Sequence, residues 1–384
     1  MSLTLFVTND FGPRAGGIET FIHGLIQGLT QNLSSTEYSV IVYTSQQGDT
    51  RDYDAKWLAA GVKVIRDRSK MLLPTPRVIK AVRRVCIEER PEVVVFGAAA
   101  PLALMAKRLP VARKIGITHG HEVWWSKVFP FNLAMRLIGN SLDHLTYLGE
   151  FTKGTISKAL SQKARNAMVQ LAPGIDTQQF RPIDATSSSL RSLREELGLQ
   201  DKKVIVSVGR LVPRKGQDQL IKALPAIIAK HPDAHLLLVG TGSYQKVLNK
   251  LIADRALQKY VTFTGRVQYE DLARYICVGD IFAMPSRSRF GGLEVEGLGI
   301  VYLEASACGL PVLAGDSGGA PDAVIEGVTG LVVDGLDEKK IAAGVIQLLE
   351  SDRKSMGAAG RKWAVERWDW SIWNAKFVEL VRGA

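Results

Sequence analysis

Two periodicities alternate along this chain of 384 residues. Short, nearly continuous apolar runs at 3–8, 40–44, 62–65, 93–96, 114–118 and 145–148 suit buried strands. Between them, apolar positions three and four apart predict helices at 18–31, 75–90, 99–109, 128–140 and 150–161. After the polar stretch 184–194 the series restarts. Strands are expected at 203–208, 235–239, 260–263, 281–284 and 311–314, and helices at 215–230, 243–255, 269–278, 299–308 and 337–350. The tail from 368 to 382 reads as one Trp-rich amphipathic helix. Strands alternating with helices predict an α/β protein of two doubly wound, Rossmann-like domains facing across a cleft, with ligand at the carboxyl ends of the strands. The length agrees with two domains, and no repeat with shared motifs interrupts the series.

One stretch departs from the plain alternation. Residues 287–312, RSRFGGLEVEGLGIVYLEASACGLPV, run from a glycine-rich loop with two arginines into an apolar helix stopped by Gly309 and Pro311. A helix starting near Gly299 presents unpaired amides and a positive dipole end, suited to phosphate oxygens. Glu296 and Glu304 frame that start. On a continuous helix their backbones lie about 12 Å apart. Paired glycosidase carboxylates face one bond across roughly 5–9.5 Å, so two separate grips on one long ligand fit this spacing better. The bland alternative is a pair of solvated helix carboxylates.

Other candidate chemistry sits at strand ends. Gly16 and Gly17 close the loop NDFGPRAGG, where amides can meet a phosphate or merely form a tight turn. In THGHEVWW, His119 and His121 share one face if the strand continues, as a metal-chelating pair would, but further ligands are missing. Trp124 and Trp125 read as packing. Arg210 ends a strand and Lys215 begins the next helix, so two cations are aimed at one place, whereas Arg214 reads as surface charge.

Composition changes little. The chain is 46% hydrophobic and 23% charged, as globular proteins are. Its first residues read as a strand rather than a signal peptide, and the longest apolar run, 93–106, is too short to span a bilayer. Three widely spaced cysteines suit reduced thiols. Charge matters more: residues 1–180 hold 22 Lys and Arg against 14 Asp and Glu, a net +8 out of +11. Arg66, Arg68, Lys70, Arg77, Lys80, Arg83 and Arg84 concentrate it, either as a solvated face or as an attractor of anionic lipid. Nucleic acid is disfavoured, since these residues are not interleaved with aromatics.

Glu296, seven residues and Glu304 within EGLGIVYLEASACGLPV resemble the Glu-x7-Glu signature of retaining GT-B glycosyltransferases, glycosyltransferase family 4. The resemblance covers nearly the whole chain. It implies that Glu296 holds donor-sugar hydroxyls and Glu304 the ribose. Arg210 and Lys215 then face the leaving diphosphate, while Gly297, Leu298, Gly299 and Ile300 cradle the donor. It further implies that Gly265, Arg266 and Val267 read the nucleobase, Gly17 lies against the diphosphate and acceptor, and His119 touches the sugar, with His121 as second choice. The segment APGID before Phe180 resembles the family's boundary segment, with Pro173 where Asn is usual. Domains 1–180 (with a crossing helix 367–384) and 181–366 follow, the first for acceptor and the second for nucleotide sugar.

Within the family, the motifs look most similar to phosphatidylinositol-monomannoside α-mannosyltransferases. That implies a GDP-mannose donor, no cofactor or metal, a phosphoinositide glycolipid acceptor, an anionic membrane partner, and a cytoplasmic protein peripheral on the inner face of the plasma membrane. The rivals are a UDP-sugar transferase on a soluble acceptor and a non-catalytic nucleotide-sugar binder.

Overall fold

Two separate parallel sheets organise the chain in a computed structural model that describes residues 3–13, 16–30 and 39–383. Each belongs to its own unit: Met1–Gly174 with Trp370–Ala384, and Ile175–Asp369. The chain thus passes between units at 174–175 and 369–370, against the expected 180 and 366. The reason is local: Ile175 N–H donates to Trp368 O at 2.8 Å, and Phe180 is buried with its ring against Tyr269, so the end of the boundary segment packs into the second unit.

The first unit's strands are β1 (Thr4–Thr8), β2 (Val40–Ser45), β3 (Val62–Asp67), β4 (Val93–Phe96), β5 (Arg113–Gly116), β6 (His144–Tyr147) and β7 (Met168–Gln170). They pair in the order β3-β2-β1-β4-β5-β6-β7, so the strand order reverses between β1 and β4. Its helices are α1 (Gly17–Thr30), α2 (Arg51–Ala59), α3 (Pro76–Glu89), α4 (Ala99–Leu102), α5 (Glu122–Lys127), α6 (Phe131–Gly139), α7 (Glu150–Ile156) and α8 (Gln162–Asn166).

The second unit contains α9 (Ser188–Glu196), β8 (Lys203–Val208), α10 (Gln217–Lys230), β9 (Ala234–Val239), α11 (Gln245–Asp254), β10 (Val261–Gly265) and α12 (Tyr269–Cys277). It continues through β11 (Ile281–Met284), α13 (Ile300–Ala307), β12 (Val312–Gly315), β13 (Gly330–Val333), α14 (Glu338–Glu350) and α15 (Arg353–Trp368). Its sheet runs β10-β9-β8-β11-β12-β13 and reverses between β8 and β11. The final helix, α16 (Trp370–Arg382), returns to the first unit and packs on α1. Two α1 glycines permit that approach: a Cβ on Gly24 would come within 2.3 Å of the Trp370 ring, and one on Gly28 within 2.3 Å of Asn374.

Several expected elements need correction. The polar stretch 184–194 contains the start of α9, which buries only Leu190 and Leu193. The expected tail helix 368–382 is α16, starting at Trp370, and it follows an unexpected helix, α15, across a break at Asp369. α15 has no apolar stripe because, apart from Trp368 at its end, it buries only Gly357, Gly360 and Ala364; a Cβ on Gly357 would stand 1.9 Å from Gly309 O, so closeness seats most of its length. α2 buries no residue at all, which left no periodic signal. The helix expected over 99–109 is short α4 followed by a 3-10 turn, Ala103–Arg108. Gln31, the last residue of the helix expected at 18–31, lies outside the described residues, as do Arg14 and Ala15 of the first glycine loop.

Candidate active site

In each sheet the loops that leave the two strands flanking the reversal meet beyond the carboxyl ends, where parallel folds bind ligands. In the second unit these loops follow β8 and β11, and they carry Arg210, Arg214 and Lys215 on one side and Arg287, Glu296 and Gly297 on the other.

Glycine geometry sets how closely they approach. Gly216, with φ +75°, ends the Pro213–Lys215 turn; a Cβ there would lie 2.0 Å from Pro285 O. Side chains then join the loops. Lys215 Nζ donates to Glu296 Oε2 at 2.8 Å, Arg214 Nη1 to Val295 O at 2.9 Å, and Arg287 Nη1 to Asp218 Oδ2 at 2.9 Å. Arg214 is therefore no surface charge, a role its sequence position does not reveal. Arg210 remains exposed at the end of β8.

Glu296 and Glu304 are only 7% and 4% exposed, which removes the solvated-helix alternative. Nor does one continuous helix join them. Gly299 adopts φ +80° as the N-cap of α13, so Glu296 sits in the preceding loop and Glu304 within the helix. The amides at the start of α13 follow directly on Gly299. Burial pushes the Glu296 carboxyl up, but Lys215, Arg214 and Arg210 together outweigh it and hold it below its ordinary range. Three cations and one carboxylate leave this cluster at +2.

Glu304 differs. Burial raises its carboxyl to about 7, with only Lys215 opposing. A raised folded-state value means that the folded protein holds this proton more tightly than the unfolded chain, so stability falls as pH rises from about 4.5 to 7. The full cost is roughly 3 kcal/mol. Thermal melts across that window are expected to show this decline in the native protein and a flatter one in Glu304→Gln.

Behind the cluster, the turn at 317–319 supports Glu296. Gly319 N–H donates to Glu296 O at 2.8 Å and Glu296 N–H to Ser317 Oγ at 3.2 Å, while a Cβ on Gly319 would meet Gly297 O at 2.1 Å. Tyr302, fully buried, donates its hydroxyl to Met284 O at 2.7 Å and ties α13 to β11. Gly265, with φ +73° and open space where a Cβ would stand, ends β10, followed by exposed Arg266 and half-buried Val267.

In the first unit, β5 ends at Gly116, so His119 and His121 do not share a strand face. His121 instead precedes α5 directly, without a capping side-chain bond, and the two rings stack with centroids 6.2 Å apart. His119 Nε2 donates to Gly97 O, the residue after β4, and His121 Nε2 lies 3.2 Å from Ala100 O. Burial lowers His119, more than Glu122, the Gly97 carbonyl and Asp10 restore it, so the ring is neutral near pH 7; its Nδ1 is then the lone-pair nitrogen.

Two residues here escaped sequence reasoning. Glu122, fully buried, accepts the His119 N–H at 2.9 Å, and Asp10, after β1, is raised by burial while both histidines oppose the shift. Glu122 lies three residues along, inside THGHEVWW, where its burial leaves no signal, whereas only the fold brings Asp10 beside His119. Gly17 opens α1 with empty space around its missing Cβ, yet Glu19 accepts Gly12 N–H at 2.9 Å, so one amide of that loop is already taken.

The basic stretch 66–84 is partly neutralised. Arg66 pairs with Asp54 at 2.6 Å, Arg77 with Asp67 at 2.7 Å and Arg84 with Glu88 at 2.7 Å, leaving Arg68, Lys70, Lys80 and Arg83 exposed on that side.

Comparison with known proteins gives the family. Residues 191–363 match the model of glycosyl transferases group 1, and residues 15–179 that of glycosyltransferase family 4. The chain is 42% identical over 384 residues to a GDP-mannose-dependent alpha-(1-6)-phosphatidylinositol monomannoside mannosyltransferase of Mycolicibacterium smegmatis, covering 99% of this chain and 98% of the relative. The Mycobacterium tuberculosis protein of the same name is 43% identical, with 100% and 99% covered. Among solved structures, Anabaena Alr3699/HepE in complex with UDP superposes with a TM-score of 0.79 at 19% identity, over 100% of both chains. Sucrose-phosphate synthase from Thermosynechococcus elongatus gives 0.78 at 19% identity, covering 99% of this chain and 98% of that one.

Proposed function

The chain belongs to glycosyltransferase family 4, and from that premise we propose that it transfers α-mannose from GDP-mannose, with retention, to a phosphatidylinositol mannoside. The observation that carries the reading is the buried Lys215–Glu296 pair flanked by Arg210 and Arg214 at the strand-order reversal of the second unit. Its net +2 opposes the roughly two negative charges that a nucleoside diphosphate carries as it leaves. A non-catalytic binder would not require the carboxylate inside that cluster.

The roles follow. Arg210 and Lys215 stabilise the departing diphosphate, and the amides at Gly297, Leu298, Gly299 and Ile300 take its oxygens. Glu296 accepts hydrogen bonds from sugar hydroxyls and opposes positive charge growing at the anomeric carbon, while Glu304 holds the ribose. Gly265, Arg266 and Val267 are assigned to the base. For the first unit the reading gives His119, through a fixed neutral ring, a role at the reacting sugar, and Gly17 the acceptor side. The acceptor oxygen attacks the anomeric carbon from the face that the diphosphate leaves, and its proton passes to a phosphate oxygen, so no protein nucleophile is used. Because side-chain cations oppose the diphosphate charge, no metal is invoked. The protein would act at the cytoplasmic face of the membrane that holds its acceptor.

A thermal-shift series with GDP, UDP, ADP and their sugars tests the donor. GDP-mannose at 100 times its dissociation constant is expected to add about 2.7 kcal/mol, with turnover unaffected by a chelator. Stabilisation by UDP-sugars alone would transfer the reading to the rival donor.

A further inference from the structure

The outer face of α6 has no part in the reading above. The helix turns Met135 and Ile138 inward but holds Leu133 and Leu137 outward, one turn apart, at 52% and 55% exposure, and Phe129 just before it is 74% exposed. Phe131 of the same helix packs against Trp124 and Trp125 of α5, with centroids 4.5 Å and 5.0 Å away, which fixes α6 in place. Clustered apolar side chains held in water mark a contact surface.

The surrounding charge indicates the partner. Between Trp124 and Asn140 there is no Asp or Glu, and Lys127 and Arg136 are exposed. The 3-10 turn Ser157–Ala159 and α8 adjoin α6: Ser161 Oγ donates to Asn140 Oδ1, and Leu160 and Ala164 crowd Gly139. They present Lys158, Lys163 and Arg165, all exposed, within a stretch from 151 to 175 that again lacks acidic residues.

We propose that Phe129, Leu133 and Leu137, with these adjoining cations, form the surface by which the protein inserts into the headgroup layer of an anionic bilayer. The inference rests on the proposed lipid acceptor, whose acyl chains keep it in the membrane. An aromatic and leucine ridge bordered by Lys and Arg is the composition of interfacial anchors. A second copy of the same face would instead bring like charges together. The insertion is distinct from attraction at 66–84, where Arg66, Arg77 and Arg84 are already paired within the chain.

The test uses the full chain with vesicles of phosphatidylcholine mixed with phosphatidylglycerol, and of phosphatidylcholine alone. The native protein is expected to sediment with the mixed vesicles and to keep part of that binding at salt that screens surface charge. The triple variant F129S/L133S/L137S is expected to lose on the order of 100-fold in partitioning, with unchanged melting temperature because all three residues are exposed. Retained partitioning by the triple variant, or no binding by the native protein, would overturn the proposal. So would a native dimer that the variant converts to monomer while vesicle binding is unaffected. A detergent-dispersed, short-chain phosphatidylinositol monomannoside separates the two readings: both proteins should mannosylate it equally, and failure of the native protein there refutes the acceptor assignment whatever the vesicles show.

Discussion

Glu296→Gln is expected to lower turnover by on the order of 1,000-fold while changing GDP affinity by only a few-fold. The substitution keeps shape and removes one negative charge from a site where three cations already hold that carboxylate ionised. On the proposed reading the diphosphate in the ground state still meets Arg210 and Lys215, and the +2 cluster becomes +3, so nucleotide binding has no reason to weaken. What is lost is the charge opposing an oxocarbenium-like sugar, which matters only as the bond breaks. Glu304→Gln should show the converse, a weaker nucleotide with a smaller loss of turnover. Single-turnover rates and GDP titrations of both variants decide the matter. Equal loss of nucleotide in the two would refute the division of one ligand between two carboxylates.

The second large effect is on stability. Arg287→Met is expected to destabilise the second unit by about 3–5 kcal/mol, because it leaves Asp218, 5% exposed, as a buried charge without its partner at 2.9 Å. The Arg287 amide also donates to Arg214 O at 2.9 Å, and Arg214 in turn reaches Val295 O. The substitution keeps that amide bond, so the loss should fall on stability rather than on turnover. Urea unfolding of the single variant, and of R287M/D218L, checks the cause. Substantial recovery of stability in the double variant identifies the uncompensated charge. No recovery would place the effect in packing of the arginine stem.

Some of this site was legible in residue order alone. Glu296, Gly299 and Glu304 lie within one short stretch, Arg210 and Lys215 within another, and glycine at a turn signals a backbone that other residues resist. The alternation of apolar runs with helical periods likewise exposed two parallel sheets, since buried parallel strands must be apolar on both faces. Elements that bury little, such as α2, or that pack through small residues, such as α15, left no such signal.

The sequence by itself determined the α/β alternation, the family motifs and the residue types at the strand ends, because each depends on neighbours a few positions apart. Only the tertiary structure decided which charges are spent on one another. Lys215 meets Glu296 and Arg287 meets Asp218, Arg66 and Arg77 are neutralised, and Asp10 comes to lie beside His119. Pairing and burial set the ionisation of a side chain, and around Glu296 and His119 both follow from strand order at the reversal of each sheet, which joins loops that are far apart in the chain.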